Sequence, residues 1–482
     1  MTLAATVTGA PRWCISLAGR HRLFSLMLAA GLVLRVMAWL AYQPALFLSG
    51  DSYSYVSSGL GRPNPIRPLG YPLLLHSLLW VHTLAVVPAV QHMFGLATAV
   101  LVYALLRRLG AGAVLASLCA APLLLDGFLI NIEQYLLSES MFILLVTGSL
   151  VLLVWRSRAS LVDCAGAGGL LGAAALTRSV GLVLIASALL YCVLRRFGVL
   201  RIALVAFGFA LPVIGYALWF ESVYGQIGVT KYDGYFLYGR VSTFAECSTW
   251  RVPAAQRYLC FPEPLSRRPG PNHYIWSKWS TPRYRGRRFA LNSELRRFAL
   301  EAIRHEPEAY VSTIIGDLLH YASPGRNTDR WDAPLVHWRF QDASGIHHRR
   351  RTLRVVGRFG GSFSVNDSLA ALLRAYQGVV YVQGPMLAAA LLAGLAAALV
   401  GRPASDGQRR LRAESLLFAL VGLTPLIAAA ATTVFEYRYV LPTIPPLCLA
   451  AGTAGVVARS RWTTSRWRHK PPDKVALSVG GG

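Results

Sequence analysis

The apolar residues of this 482-residue chain arrive in blocks long enough to cross a lipid bilayer, and this patterning constrains the fold more than any other feature. A helix needs about 20 mostly apolar residues to span the hydrocarbon, and fewer where neighbouring protein covers it. About ten stretches qualify: 22–42, 84–106, 112–130, 136–155, 161–176, 180–194, 199–220, 376–400, 414–432 and 438–457. Composition agrees. Only 15% of the residues are charged, against about 25% in a soluble protein. The 12 Trp, 21 Tyr and 19 Phe exclude a disordered chain. The expected fold class is an all-α polytopic membrane protein with about ten transmembrane helices.

Basic residues in the short connections orient the spans. With Arg12, Arg20 and Arg22 in the cytoplasm, every second connection collects them: Arg107 and Arg108; Arg156 and Arg158; Arg195, Arg196 and Arg201; Arg402, Arg409, Arg410 and Arg412. The tail adds Arg459, Arg461, Arg466, Arg468 and Lys470. Both termini are therefore expected in the cytoplasm of a multi-pass cell-membrane protein. No cleavable signal peptide is expected, because the first apolar stretch is too long and lacks a small-residue cleavage pattern.

One connection differs from the rest. From about 221 to 372 the chain turns polar, basic and aromatic, holding 22 of the 48 basic and 13 of the 22 acidic residues. Long domains translocate largely regardless of charge, so this one is expected outside, as a mixed, partly helical domain inserted between helices 7 and 8. The expected organisation is a membrane domain over 1–220 with its first exterior loop at 43–83, an exterior domain over 221–375, membrane helices over 376–457, and a basic cytoplasmic tail over 458–482. Within the exterior domain Leu291, Leu295, Phe298, Ala299 and Ala302 fall at helical spacing, with Asn292 as N-cap. A second helix is expected from Pro307, aligning Tyr310, Ile314, Leu318 and Tyr321; such stripes are ordinarily packing faces. Cys14, Cys119, Cys164, Cys192 and Cys448 lie in or beside membrane segments, where a thiol serves as small apolar filler. Cys247 and Cys260 share the exterior loop without a His or third Cys at zinc-ligand spacing, so a disulfide is predicted between them.

The acids outside the large loop are the most informative residues. Asp163, Asp406, Glu414 and Asp473 belong to the cytoplasmic side; Asp51, Asp126, Glu133, Glu139 and Glu436 map to the outer ends of helices. Arg67, Arg178 and Arg438 join them at that level, while Arg35 lies deep in the first helix, where helix carbonyls suit it. Ionisable groups beside hydrocarbon are costly and mark function. Asp51, among Tyr53 and Tyr55, has two readings: a general base for a hydroxyl, or the cap of a short helix beginning at Ser52. Glu139 is either a first-turn carboxylate favoured by the helix dipole or a site residue. Arg178, with few acids near it in sequence, either snorkels or holds a phosphate. Glu436-Tyr437-Arg438-Tyr439 reads as a structural ion pair or as a phosphate or sugar clamp.

In order, these residues are an Asp after the first helix, Arg67-Pro68-Leu69-Gly70-Tyr71-Pro72 before the second, Ser138-Glu139 at the fourth, Thr177-Arg178 between the fifth and sixth, and Arg438-Tyr439 followed by Pro442 at the last. Together they resemble the GT-C class of polytopic membrane glycosyltransferases, specifically the bacterial branch related to protein O-mannosyltransferases and aminoarabinose transferases. The resemblance spans roughly 22–200 and 376–457, and more weakly His305-Glu306-Pro307-Glu308-Ala309-Tyr310. It implies a polyprenyl-phosphate-linked sugar donor, used on the exterior face with inversion. Asp51 would be the catalytic base, Arg178 and Arg438 would hold the lipid phosphate, and Arg67, Glu139, Glu436, Tyr439, Tyr53 and Tyr55 would line the site. Ser52 follows Asp51 where many relatives carry a second acid, which separates the chain from paired-acid branches such as the arabinofuranosyltransferases.

The implied partners are the lipid-linked donor, membrane lipids, and an acceptor glycan, lipid or protein hydroxyl on the exterior face. Nucleic acid is not expected, because the cytoplasmic basic charge is spread over short loops as the orientation rule requires. The residues call for no cofactor, with a divalent metal ion as the open alternative: His273, His305, His320 and His337 are scattered without ligand spacing, and no metal ligands are assigned. The competing reading is a transporter or flippase for a lipid-linked or anionic substrate. Such proteins place their charged sites near the midplane between related halves. A third reading is an exterior scaffold that holds anionic polymer or headgroups by charge.

Overall fold

Inside a bilayer the backbone finds no water to bond, so an apolar stretch must close its own hydrogen-bond ladder. In the computed structural model of the protein every one of the ten stretches is helical. The structure describes residues 21–48, 50–277, 290–342, 349–359, 361–401, 403 and 405–468. Arg12, Arg20, Cys14, Arg402, Lys470 and Asp473 lie outside the described residues. Among the described residues about 73% are helical, with almost no strand.

Among the described residues five helices are long and apolar enough to cross a membrane: Arg22–Ala41, Val86–Arg108, Val199–Tyr224, Asp406–Thr432 and Tyr437–Ser460. Two bent pairs raise the number to seven if each is one span: Ala113–Leu125 with Gly127–Gln134 at 44°, and Asp367–Val379 with Gly384–Leu399 at 49°. The stretches expected as continuous over 112–130 and 376–400 are thus each broken. The first breaks because Asp126 leaves the helix to cap its successor, accepting from the Phe128 and Leu129 amides at 2.8 and 2.9 Å. The second breaks ahead of Pro385, which suits a helix's first turn. Three shorter apolar helices, Glu139–Val154, Leu161–Thr177 and Ser179–Leu194, account for the rest.

Burial separates centre from periphery. In the most apolar 18-residue stretch of Tyr437–Ser460, 78% of the residues are buried, against 6% in that of Val199–Tyr224, which turns Phe207, Leu211, Ile214 and Leu218 outward. That outward face is apolar, the reverse of a water-facing helix.

After Val199–Tyr224 the chain builds a second hydrophobic cluster, separate from the main one. Helix Asp233–Val241 packs against Asn292–His305 and buries Tyr235, Tyr238, Leu295, Phe298, Ala299 and Ala302. Cys247 and Cys260 are joined in a disulfide at its flank, as predicted. The capping role expected for Asn292 is not found. Leu291 holds that place, and the Asn292 side chain instead accepts from the Gly234 amide at 2.8 Å and donates to Asp233 at 2.7 Å. A helix does start at Pro307 and runs to Ala322; Tyr321 is buried, and Tyr310, Ile314 and Leu318 are half-buried. Ile66, from the loop after the first helix, joins this second cluster, so that loop lies between the two cores.

The same loop is pinned from below. Tyr42–Gln43 pairs antiparallel with Ser364–Val365, and Leu46 bridges to Tyr135 in parallel. These few strand bonds bring the end of the first helix, the short helix Gly127–Gln134 and the end of the large insertion to one level.

Candidate active site

Gly50 sits at φ +89°, a conformation that glycine adopts without a Cβ penalty, and the chain turns there into helix Asp51–Gly59. Asp51 is thus the first helical residue, and the cap on a helix starting at Ser52 is not formed. Ser52 instead uses its hydroxyl to accept from the Leu48 amide at 2.9 Å. The Asp51 carboxylate is turned to two arginines. Arg67 Nη2 donates to its two oxygens at 2.8 and 3.0 Å, and Arg438 Nη1 donates to Oδ2 at 2.9 Å.

Arg438 is the hub. Its Nε donates to Glu436 at 2.8 Å, and its Nη1 lies 3.7 Å from Glu139. Glu139 opens helix Glu139–Val154 and pairs with Arg178, which ends helix Leu161–Thr177. Close backbone packing sets this register: a Cβ on Gly70 would fall 2.6 Å from the Leu176 carbonyl oxygen, so only glycine lets the Arg67–Tyr71 segment meet the Thr177–Arg178 turn. Three carboxylates and three guanidinium groups therefore alternate and sum to no net charge. Aromatic faces support them. The Tyr439 ring lies 5.4 Å from the Arg438 guanidinium and 5.8 Å from that of Arg178, Trp338 lies 5.1 Å from Arg438, and Phe236 lies 5.6 Å from Arg67.

The electrostatics follow from that crowding. Burial alone would raise the Asp51 carboxyl, but Arg67 and Arg438 overcome it and hold Asp51 well below the usual carboxylate range. Burial works against the charge on Arg67, and Asp51 restores it, so the Arg67 guanidinium is held above its ordinary value. At Glu436 burial wins over the attraction of Arg438, and its carboxyl is raised.

These groups border a cavity of about 710 Å³. Asp51, Tyr53, Ser54, Asn64 and Arg67 form one wall; Thr433, Val434, Glu436, Arg438 and Tyr439 form another; Phe236, Asn272, Trp276, Pro334, His337 and Gln341 close it from the large insertion. Ser54 Oγ and Arg67 Nε are buried without a hydrogen-bond partner among the described residues. They are spare polar groups on a cavity wall.

Most of the expected site assembles here. Asp51, Arg67, Glu436, Arg438, Tyr439 and Tyr53 line the cavity, and the Tyr53 hydroxyl also meets Thr352 at 2.7 Å. Tyr55, Glu139 and Arg178 do not line it. Tyr55 is packed on Tyr71 with its hydroxyl 3.1 Å from Ser138, while Glu139 and Arg178 form the layer behind. Arg178 is also not short of acids, because folding places Glu139 directly against it. Asp126 and Glu133 leave the expected outer group altogether. Asp126 is the buried helix cap described above. Glu133 is buried against Arg35 at 2.8 Å and His92 at 2.8 Å. Arg35 also donates to the Gly31, Leu123 and Leu124 carbonyls, so the expected carbonyl contacts are present together with an ion pair. The insertion's contribution, above all Trp276, His337 and Gln341, was not legible in sequence; the only signal there was a general richness in aromatic residues. Nor was the grouping of His320 with Asp329 and Asp332, whose ligand atoms all lie within 4.8 Å of one another.

Fold and site together define a helical membrane-type protein with a charge-balanced cavity between its helix ends and its large insertion. No protein-family model matches the chain, and no curated protein matches it.

Proposed function

We propose that the chain is an integral membrane glycosyltransferase that moves a sugar from a polyprenyl-phosphate donor to an acceptor hydroxyl. In this reading the seven long or bent spans and the three shorter apolar helices all cross the membrane, both termini are cytoplasmic, and the insertion and cavity face the exterior. One observation carries the proposal: a carboxylate, Asp51, is clamped by two arginines on the wall of a cavity large enough for a sugar.

The donor's lipid tail stays among the helices while its phosphate meets Arg438 and Arg67. The acceptor oxygen attacks the anomeric carbon, and the bond from that carbon to the phosphate oxygen breaks. The electron pair leaves on the phosphate, where the guanidinium groups stabilise it. The acceptor proton passes to Asp51, and a single displacement inverts the anomeric centre. A phosphate leaving group needs little proton donation, so one carboxylate suffices, unlike glycoside hydrolysis.

The ion pairs supply a gate on this chemistry. With two arginines attached, Asp51 is held far down and is a weak base. An arriving phosphate competes for the same guanidinium groups and releases the carboxylate, whose buried position then raises its affinity for a proton. Basicity therefore appears when the donor is bound. Each carboxylate bordering the cavity already has a guanidinium partner, so this donor set does not fit a divalent cation.

The test uses the purified full chain in nanodiscs with a radiolabelled polyprenyl-phosphate hexose and an envelope extract as acceptor source. Asp51→Asn should abolish transfer while binding the donor at least as tightly, since it frees both arginines. Arg438→Ala and Arg67→Ala should bind it at least tenfold more weakly. Full transfer by Asp51→Asn, or undiminished donor binding by both arginine variants, removes the assignment. A flippase would leave the label attached to its lipid.

A further inference from the structure

We propose that His320, Asp329 and Asp332 form a divalent transition-metal site that clamps the loop beside the cavity. His320 lies near the end of helix Pro307–Ala322, and the two aspartates follow on the next loop.

The hydrogen-bond geometry defines the ring's proton. His320 Nε2 is 3.0 Å from the Asn327 carbonyl oxygen, which can only accept, so Nε2 carries the hydrogen. When the ring is neutral, Nδ1 presents its lone pair to Asp332 Oδ2, 3.6 Å away. Two acceptors facing each other repel unless a cation lies between them. A charged imidazolium would close directly on the carboxylate to about 2.7–2.9 Å. Two ligands each about 2.0–2.2 Å from a tetrahedral Zn²⁺ stand about 3.4 Å apart, close to the separation found.

The surroundings fit as well. A carbonyl on the far ring nitrogen is the usual partner that orients a metal-bound histidine. The Asp332 side chain is only 8% exposed, and its Oδ2 also accepts the Asp329 amide at 2.7 Å. Asp329 is exposed, which leaves a path from solvent and a place for a water ligand. One imidazole with two carboxylates suits Zn²⁺ or Mn²⁺ better than Cu(I) or Ca²⁺.

The consequence reaches the cavity. The His320 ring stacks on Phe435 with centroids 4.2 Å apart, and the Ala333 amide donates to the Phe435 carbonyl at 3.0 Å. Phe435 immediately precedes Glu436 and lies three residues before Arg438, and Ala333 and Pro334 line the cavity. A bound ion would stiffen the segment that delivers Arg438. None of this rests on the transferase reading.

The test takes the full chain in nanodiscs, stripped with chelator, and titrates it with ZnCl₂ by calorimetry with metal analysis, then with Co²⁺ for its visible spectrum. One ion per chain is expected. Asp332→Asn and His320→Ala should weaken binding at least tenfold, and so should Asp329→Asn, whose exposed position spares the fold. Asp51→Asn should leave Zn²⁺ binding unchanged. Absence of stoichiometric binding, binding indifferent to Asp329→Asn and Asp332→Asn, or binding lost in Asp51→Asn overturns the proposal.

Discussion

Replacing Arg438 by Met removes the one cation that three carboxylates share. Asp51 and Glu436 lose direct partners at 2.9 and 2.8 Å, and Glu139 loses a neighbour at 3.7 Å. Three acids then face two arginines in a region where Asp51, Glu436 and Arg438 are 9%, 7% and 6% exposed. Breaking a buried pair by removing one partner costs about 3–5 kcal/mol, which is roughly two to three and a half decades in an equilibrium constant. The pH dependence identifies the cause. In the parent, Asp51 titrates below its unfolded value, so its contribution is complete above about pH 4 and is lost only as pH falls through the folded value. Without Arg438, the Glu436 carboxyl, already raised by burial, loses its lowering partner and rises further, while Asp51 keeps Arg67 and loses only part of its downward shift. A raised carboxyl destabilises the fold above its own pKa, and that penalty is relieved as pH falls. Thermal unfolding in detergent should therefore show a large deficit for Arg438→Met at pH 8 that narrows by pH 5. Adding Glu436→Gln should recover part of it. A deficit under about 1 kcal/mol, one that is constant with pH, or one that Glu436→Gln deepens would refute the reasoning.

Other outcomes follow from the same structure. Glu133→Leu strands the buried Arg35 and should cost about 3–5 kcal/mol, most of which Arg35→Met in the same chain should restore; equal loss in the single and double variants counts against the pair. Cys247→Ser with Cys260→Ser opens a 13-residue loop and should cost about 3 kcal/mol, while a non-reduced digest of the parent should yield the linked peptides rather than free thiols. In a background without free cysteines, Asn64→Cys should react with an impermeant maleimide on intact cells and Ser405→Cys only after permeabilisation; the reverse pattern would invert the proposed topology.

Residue type and spacing were enough for the membrane character, the positions of the helical stretches, the disulfide and most members of the charged group. Each depends on local chemistry: apolar runs must close their own hydrogen bonds, and the only cysteine pair in a polar insertion has one obvious partner each. Sequence also placed Arg67, Asp51 and Arg438 at one level, because short connections keep helix ends together. It could not say which acid meets which arginine. Arg178 looked free of acids because Glu139 is 39 positions away, and Glu133 was grouped with the outer acids because its partner Arg35 lies in another helix. The breaks at Asp126 and before Gly384 were hidden inside continuous hydropathy, since a cap or a bend is set by a few side chains against an apolar background.

What only tertiary structure decided is the cavity and everything contributed by the insertion. Trp276, His337 and Gln341 reach the wall beside Asp51 from more than two hundred positions away, and His320 meets Asp332 across a turn. Membrane helices announce themselves because lipid imposes one demand on every residue in a span. A pocket is assembled from residues that answer to neighbours distant in the chain, and those neighbours exist only once the chain has folded.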